Sequence, residues 1–199
     1  MRIAVVNEFS AKDKNPFIME ALEELGKPAF NIGMSADGDE TELTYVHTGL
    51  IAALALSSGA ADFVVGGCGT GQGFVISSMQ FPGVYCGLIT NPLDAFLFSQ
   101  INAGNCISLA LNKGFGWAGD INLKYIFEKL FACEAGKGYP LHRSEIQRAS
   151  REALAKINSI SHRSMADILP SLDKSILNTV LNHKPFADFI DQYAKEKVV

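Results

Sequence analysis

The sequence predicts a doubly wound α/β sandwich, a five-stranded parallel sheet between two helical layers, with a helical C-terminal extension. Three observations carry that expectation. Short apolar runs alternate with helical stretches up to about residue 132. Several of those runs are rich in β-branched residues, as strands covered on both faces are. Beyond the turn Gly136-Lys-Gly-Tyr-Pro140 the strand-like pattern stops and only helical periodicity remains. The chain therefore divides into a sandwich domain over 1–140 and an extension over 141–199, too short to build a strong core alone.

Strands are expected at 2–7, 28–32, 62–66, 84–89 and 105–110, the first, third and fourth reading as buried. Helices fall between them at about 16–25, 42–58, 72–80 and 93–101, with one more at 119–132. Pro16 after Asn15 suits a helix start, and Gly26 suits the C-terminal stop. Asn91-Pro92 opens the helix that carries Asp94 to Gln100. In the extension, helices are expected at about 142–157, 162–169, 173–182 and 185–196, Asp173 and Pro185 marking two starts. They are expected to pack on the sandwich or on a partner chain.

Composition narrows the function. Of 199 residues, 48% are hydrophobic and 19% charged, against about 25% charged in ordinary soluble domains. That deficit points to surface covered by another subunit. A net charge of −4 with no basic run argues against nucleic acid as a partner. No apolar stretch reaches the roughly 18 residues of a membrane span. The strand-like Arg2-Ile-Ala-Val-Val6 opening lacks a signal-peptide pattern, so a cytoplasmic location is expected. The four cysteines include no Cys-x-x-Cys pair, which removes zinc and dithiol readings. Cys86 and Cys106 lie in apolar runs and read as buried, inert thiols.

Cys68 differs. It stands in Gly66-Gly-Cys-Gly-Thr-Gly-Gln-Gly73, directly after the apolar run Ala61-Asp-Phe-Val-Val65. A strand thus ends in a glycine loop that can present a thiol, the Thr70 hydroxyl and the Gln72 amide together. Ligands of open α/β sheets bind beyond such strand ends. Glycines at 67, 69, 71 and 73 do not give Gly-x-Gly-x-x-Gly, and no Lys-Ser/Thr pair follows, so neither nucleotide fingerprint fits. Backbone N–H groups ahead of a helix suit an anion or a developing enolate, and the same field favours a thiolate. Such a thiolate can act as base or nucleophile. Around it, Asn7 and Glu8 end the first strand, Tyr45 and His47 front the second helix, and Asn102 and Asn105 precede the fifth strand. His142 and Arg143 open the extension. Each also has a plain reading as a cap, turn or surface group.

Taken together these residues resemble the sugar-isomerase family of type B ribose-5-phosphate isomerase and the galactose-6-phosphate isomerase subunits. The similarity runs from Met1 to about residue 148. It rests chiefly on Cys-Gly-Thr-Gly-x-Gly at 68–73 with Pro82-Gly83 after it, and more weakly on Arg2-Ile-Ala-Val-Val and Asn102-Ala-Gly-Asn105. The tail resembles the extension of a longer branch. The resemblance implies a Rossmann-like sandwich, a homodimer with sites at the subunit interface, and no metal or organic cofactor. It implies aldose–ketose interconversion of a sugar or sugar phosphate through an enediolate. Cys68 would move the proton between C1 and C2, and Thr70 would assist ring opening. Gly69, Gly71, Gln72 and Gly73 would offer backbone donors, and Asn102 would bind substrate oxygens.

The chain also departs from the family. Glu8-Phe9 stands where Asp-His is common, and Ile101-Asn102 where His-Asn is. That histidine is the ring-opening acid/base, so either His47 replaces it or the substrate arrives open-chain. The arginines expected to hold phosphate become Asn112-Lys113, His142-Arg143 and Arg148. Glu8, Tyr45, His142 and Arg143 complete the expected substrate-binding set. Two rivals follow: a non-catalytic sugar-phosphate-binding protein on the same scaffold, and a thiol hydrolase using Cys68.

Overall fold

The computed structural model describes residues 1–38 and 41–196. Five strands form one parallel sheet: β1 (Ile3–Asn7), β2 (Ala29–Asn31), β3 (Phe63–Cys68), β4 (Cys86–Ile89) and β5 (Cys106–Ala110). Their order is β2-β1-β3-β5-β4. Residue registers run Ile3↔Phe63 to Asn7↔Gly67, Val64↔Cys106 to Cys68↔Ala110, and Cys86↔Cys106. Six helices and their short neighbours make the outer layers and the extension's start: α1 (Asn15–Glu24), α2 (Tyr45–Ser57), α3 (Gln72–Ser78), α4 (Pro92–Leu97), α5 (Gly119–Leu130) and α6 (Ser144–Ser161). The extension continues with α7 (Met165–Ile168), α8 (Lys174–Leu181) and α9 (Lys184–Tyr193).

Side chains alternate across a strand, so each strand of the sheet's centre feeds two cores. Ala4, Val6 and Val64 face one cluster with Leu50, Leu54 and Phe74; Ile3, Val5 and Val65 face the other with Ile18, Leu22 and Phe127. The extension joins the first cluster through Leu169, Val180, Phe186 and Phe189. Phe30 of β2 packs its ring against both Phe189 and Tyr193 of α9, with centroids 5.4 and 5.0 Å apart. The buried His183 brings its Nε2 within 3.1 Å of the Gly33 carbonyl.

Element boundaries differ from the sequence expectation where tertiary bonds override local pattern. β3 runs to Cys68, two residues beyond the expected 66, because Gly67 and Cys68 pair with Leu109 and Ala110. The helix expected over 93–101 is α4 followed by a π turn, Phe98–Asn102. A 3-10 helix over Phe9–Lys14, which the sequence did not reveal, is opened by the Glu8 side chain accepting from the Ser10 amide. β4 is an edge strand and mostly half-buried, not fully buried as its apolar run suggested. Caps behave as read: Asn91 accepts from the Leu93 and Asp94 amides, and Gly26 adopts φ +65° after α1. Among the described residues no helix is long and apolar enough to cross a membrane.

Candidate active site

The chain leaves β1 toward β2 on one side, then returns to β3 on the other. At such a reversal the loops diverge and leave a crevice beyond the carboxyl ends of the strands. Asn7-Glu8 and Cys68-Gly69 line that crevice, so topology and the glycine loop select the same place.

Cys68 ends β3 with 6% of its surface exposed, and its Sγ lies 4.0 Å from Thr70 Oγ1. Its carbonyl accepts from the Gly71 and Leu111 amides at 3.2 and 3.0 Å. Gly71 turns the chain into α3 with φ +74°, a conformation that a side chain disfavours. Its carbonyl accepts from the Ser108 hydroxyl of β5 at 2.7 Å. Gly73 is the approach point of α2: a Cβ there would lie 2.8 Å from the Tyr45 ring. Tyr45 therefore borders the loop directly, with its ring half exposed. Gln72 is exposed, and its backbone N–H donates to Thr70 Oγ1 at 3.3 Å. The Thr70 hydroxyl hydrogen is thereby left to face the thiol or a ligand.

The Gly69 amide, expected to serve an enediolate, is already engaged. It donates to Ser10 Oγ at 3.1 Å, and the Ser10 hydroxyl bonds in turn to Glu8 Oε1. Glu8, 8% exposed, also accepts from the Ser10 amide at 3.2 Å, so its carboxylate is turned inward to Ser10. In the first turn of α3 the Gln72 amide goes to Thr70 Oγ1 and the Val75 amide to the Gly71 carbonyl, which leaves those of Gly73 and Phe74 as the helix-start donors for an oxyanion. Beside Glu8, Asn7 is fully buried and its Nδ2 donates to Asn15 Oδ1 at 2.8 Å. Ser10 belongs to no motif in the sequence. A serine two residues after a helix-capping carboxylate was the available signal.

His47 sits at the third position of α2 and closes a capping box with Thr44. Its Nδ1 accepts from the Thr44 amide at 3.0 Å, so the ring proton is on Nε2. Burial lowers its pKa below the ordinary histidine value. As a neutral ring it can donate from Nε2, but it is bound as a cap on the other side.

The remaining expected residues lie elsewhere. Asn102 ends the π turn ahead of β5, at the amino ends of the strands and opposite Cys68. His142 and Arg143 are exposed at the start of α6. That region is tied to the same turn: Gly136 and Gly138 amides donate to Ser99 and Gln100 carbonyls, and Arg151 donates to the Ile101 carbonyl at 2.8 Å. The expected residues thus fall in two separated groups, Cys68 with Thr70, Tyr45 and His47 on one edge, and Asn102 with Arg143 on the other. Among the described residues no cluster of three or more His, Cys, Asp or Glu could hold a metal.

A family model described as ribose/galactose isomerase matches residues 3–132. A 4-deoxy-L-threo-5-hexosulose-uronate ketol-isomerase, solved with a tartrate, is 40% identical over 100% of this chain and 95% of its own, with a TM-score of 0.95. A ribose-5-phosphate isomerase from Vibrio parahaemolyticus is 41% identical over 98% of this chain and 93% of its own, with a TM-score of 0.93. The type B ribose 5-phosphate isomerase of Leishmania infantum, at 20% identity and a TM-score of 0.68 over 81% of this chain and 98% of its own, shares the fold. Among curated protein sequences none matches.

Proposed function

Because the chain belongs to the ribose/galactose isomerase family, we propose that it interconverts an aldose and a ketose with Cys68 as the base and without a cofactor. The placement of Cys68 carries this reading: a nearly buried thiol at the switch-point crevice, beside a hydroxyl and ahead of unfilled helix-start amides. The thiolate removes the proton from C2 of the substrate. The electron pair moves into the C1–C2 bond and the C1 carbonyl becomes an enediolate oxygen, held by amides of the first turn of α3. The O2 hydroxyl proton passes to O1 by way of the Thr70 hydroxyl, and Cys68 returns its own proton to C1, which leaves a carbonyl at C2 and a hydroxyl at C1. Thr70 supplies a hydroxyl to the moving oxygens, and Tyr45, Gln72 and Asn102 border the sugar.

Two relatives, 40% and 41% identical, carry different substrate names, a hexosulose-uronate and ribose 5-phosphate. Ile101 favours the first. It replaces the histidine that the family resemblance assigns to ring opening, and an alkyl side chain transfers no proton. A 4-deoxy-5-hexosulose-uronate has no hydroxyl on C4 or C5 to close a five- or six-membered ring on C1. It therefore needs no ring opening. Its carboxylate also asks for less cationic surroundings than a phosphate dianion, in keeping with Lys113 and Arg143 in place of an arginine cluster.

The two half-sites meet when a second copy brings Asn102 and Arg143 to Cys68, so the working unit is a homodimer. The surface supports this. None of the 18 residues of α6 is buried, and Ile146, Leu154, Ile157 and Ile160 form an exposed apolar stripe along it. Such a face on an isolated chain marks an association surface.

The test is turnover of a 4-deoxy-5-hexosulose-uronate against ribose 5-phosphate in deuterium oxide. The uronate is expected to gain deuterium at C1 as it isomerises, with kcat/KM about 100-fold or more above that of ribose 5-phosphate. Cys68→Ala should lower kcat by roughly 10²–10⁴, the usual contribution of a general base. Equal use of ribose 5-phosphate would refute the substrate assignment, and full activity of Cys68→Ala would refute the base.

A further inference from the structure

We propose that Ser10 is a positioning residue of the catalytic loop, locking the Cys68–Gly69 peptide through the N–H that it engages. The inference rests on Cys68 being the base and adds a residue that family membership does not assign.

The bonds converge from three strands. Ser10 Oγ gives its proton to the Glu8 carboxylate, which fixes the hydroxyl rotor and turns its lone pairs toward Gly69. The Gly69 amide donates to that oxygen at 3.1 Å. On the other side of the same peptide, the Cys68 carbonyl is held by Leu111 and Gly71. The next carbonyl, that of Gly69, accepts from the Asn112 and Lys113 amides at 3.0 and 2.9 Å. Asn112 then closes the ring by donating from Nδ2 to the Ser10 carbonyl at 2.7 Å. Segments that follow β1, β3 and β5 are thus bolted together around one peptide. With its backbone fixed on both sides, Cys68 is left only side-chain rotation, which is what a base that must serve C2 and C1 in turn requires.

Ser10 is exposed, so its substitution leaves the core intact.

The experiment compares Ser10→Ala and Ser10→Thr with the wild-type protein. Ser10→Ala is expected to lower kcat about tenfold or more with KM within about threefold, and Ser10→Thr, which restores the hydroxyl, to recover most of it. In parallel, hydrogen–deuterium exchange of the loop peptide that carries Gly69 is followed by mass spectrometry. Its exchange should quicken about tenfold or more in Ser10→Ala, as the Gly69 amide loses its acceptor, and slow again in Ser10→Thr. A kcat within twofold, a loss confined to KM, a failure of threonine to rescue, or unchanged exchange would overturn the proposal. Exchange needs no substrate, so it still decides the lock even if the isomerase assignment fails on its own assay.

Discussion

His47 shows how one side chain can carry a structural duty that sets its chemistry. Its Nδ1 caps α2 by accepting from the Thr44 amide, which requires the ring to be neutral, and burial disfavours the charged form in the same direction. The folded-state pKa is therefore below the unfolded value of about 6.5. Stability from this group is present above that value and is lost as pH falls through the lowered folded pKa, because the unfolded chain takes up the proton first. Glutamine at the third helical position also serves a capping box and does not titrate. His47→Gln should accordingly lose less stability between pH 7.5 and 5.0 than the wild-type protein, measured as the shift of the urea midpoint. Gly71 gives a second residue-level expectation. At φ +74° and with a Cβ site 2.5 Å from Leu88 Cδ1, Gly71→Ala should cost about 1–3 kcal/mol in denaturant unfolding.

At the level of elements, the extension is two things. The segment α7 to α9 is part of the sandwich: Val180 and Phe186 are buried in the core cluster that α2 and α3 share. Phe186→Ala should then destabilise the whole protein by about 3–5 kcal/mol and lower a single cooperative melting transition. Separate melting of the extension, with the sandwich transition unmoved, would show instead that it is an appendage. By contrast α6 has no fully buried residue and is tied to its own chain by polar contacts, Arg151 to the Ile101 carbonyl and Asn158 Oδ1 to the Gly83 amide at 2.9 Å. The sequence identified both as helices. Its periodicity could not say which apolar face meets the sheet and which stays open, since both faces carry the same i, i+3, i+4 signal.

For the whole molecule the issue is how many chains make one site. If Cys68 acts in one subunit on a sugar bound by Asn102 of the other, Cys68→Ala and Asn102→Ala proteins fail separately and complement when mixed. Each mixed dimer then holds one intact site and one doubly altered site. Random reassortment of a two-fold dimer should restore about a quarter of the wild-type activity. No recovery after subunit exchange would place Asn102 outside the site. On the same grounds Ile157→Glu, in the middle of the exposed stripe, should shift the sedimentation coefficient to that of a monomer and abolish turnover.

The amino-acid sequence by itself determined the five parallel strands, the helices between them, and the glycine loop with Cys68 at a strand end. All of these are written in local periodicity and in glycine and proline positions, which act within a few residues. Only the tertiary structure decided that β4 lies at the edge, that the Gly69 amide belongs to Ser10, and that Asn102 and Arg143 stand across the sheet from Cys68. The physical reason is range. Ser10 and Gly69 are 59 residues apart in sequence, and their bond exists because β1 and β3 pair in register. A contact of that kind depends on strand order and register, and no local pattern encodes either.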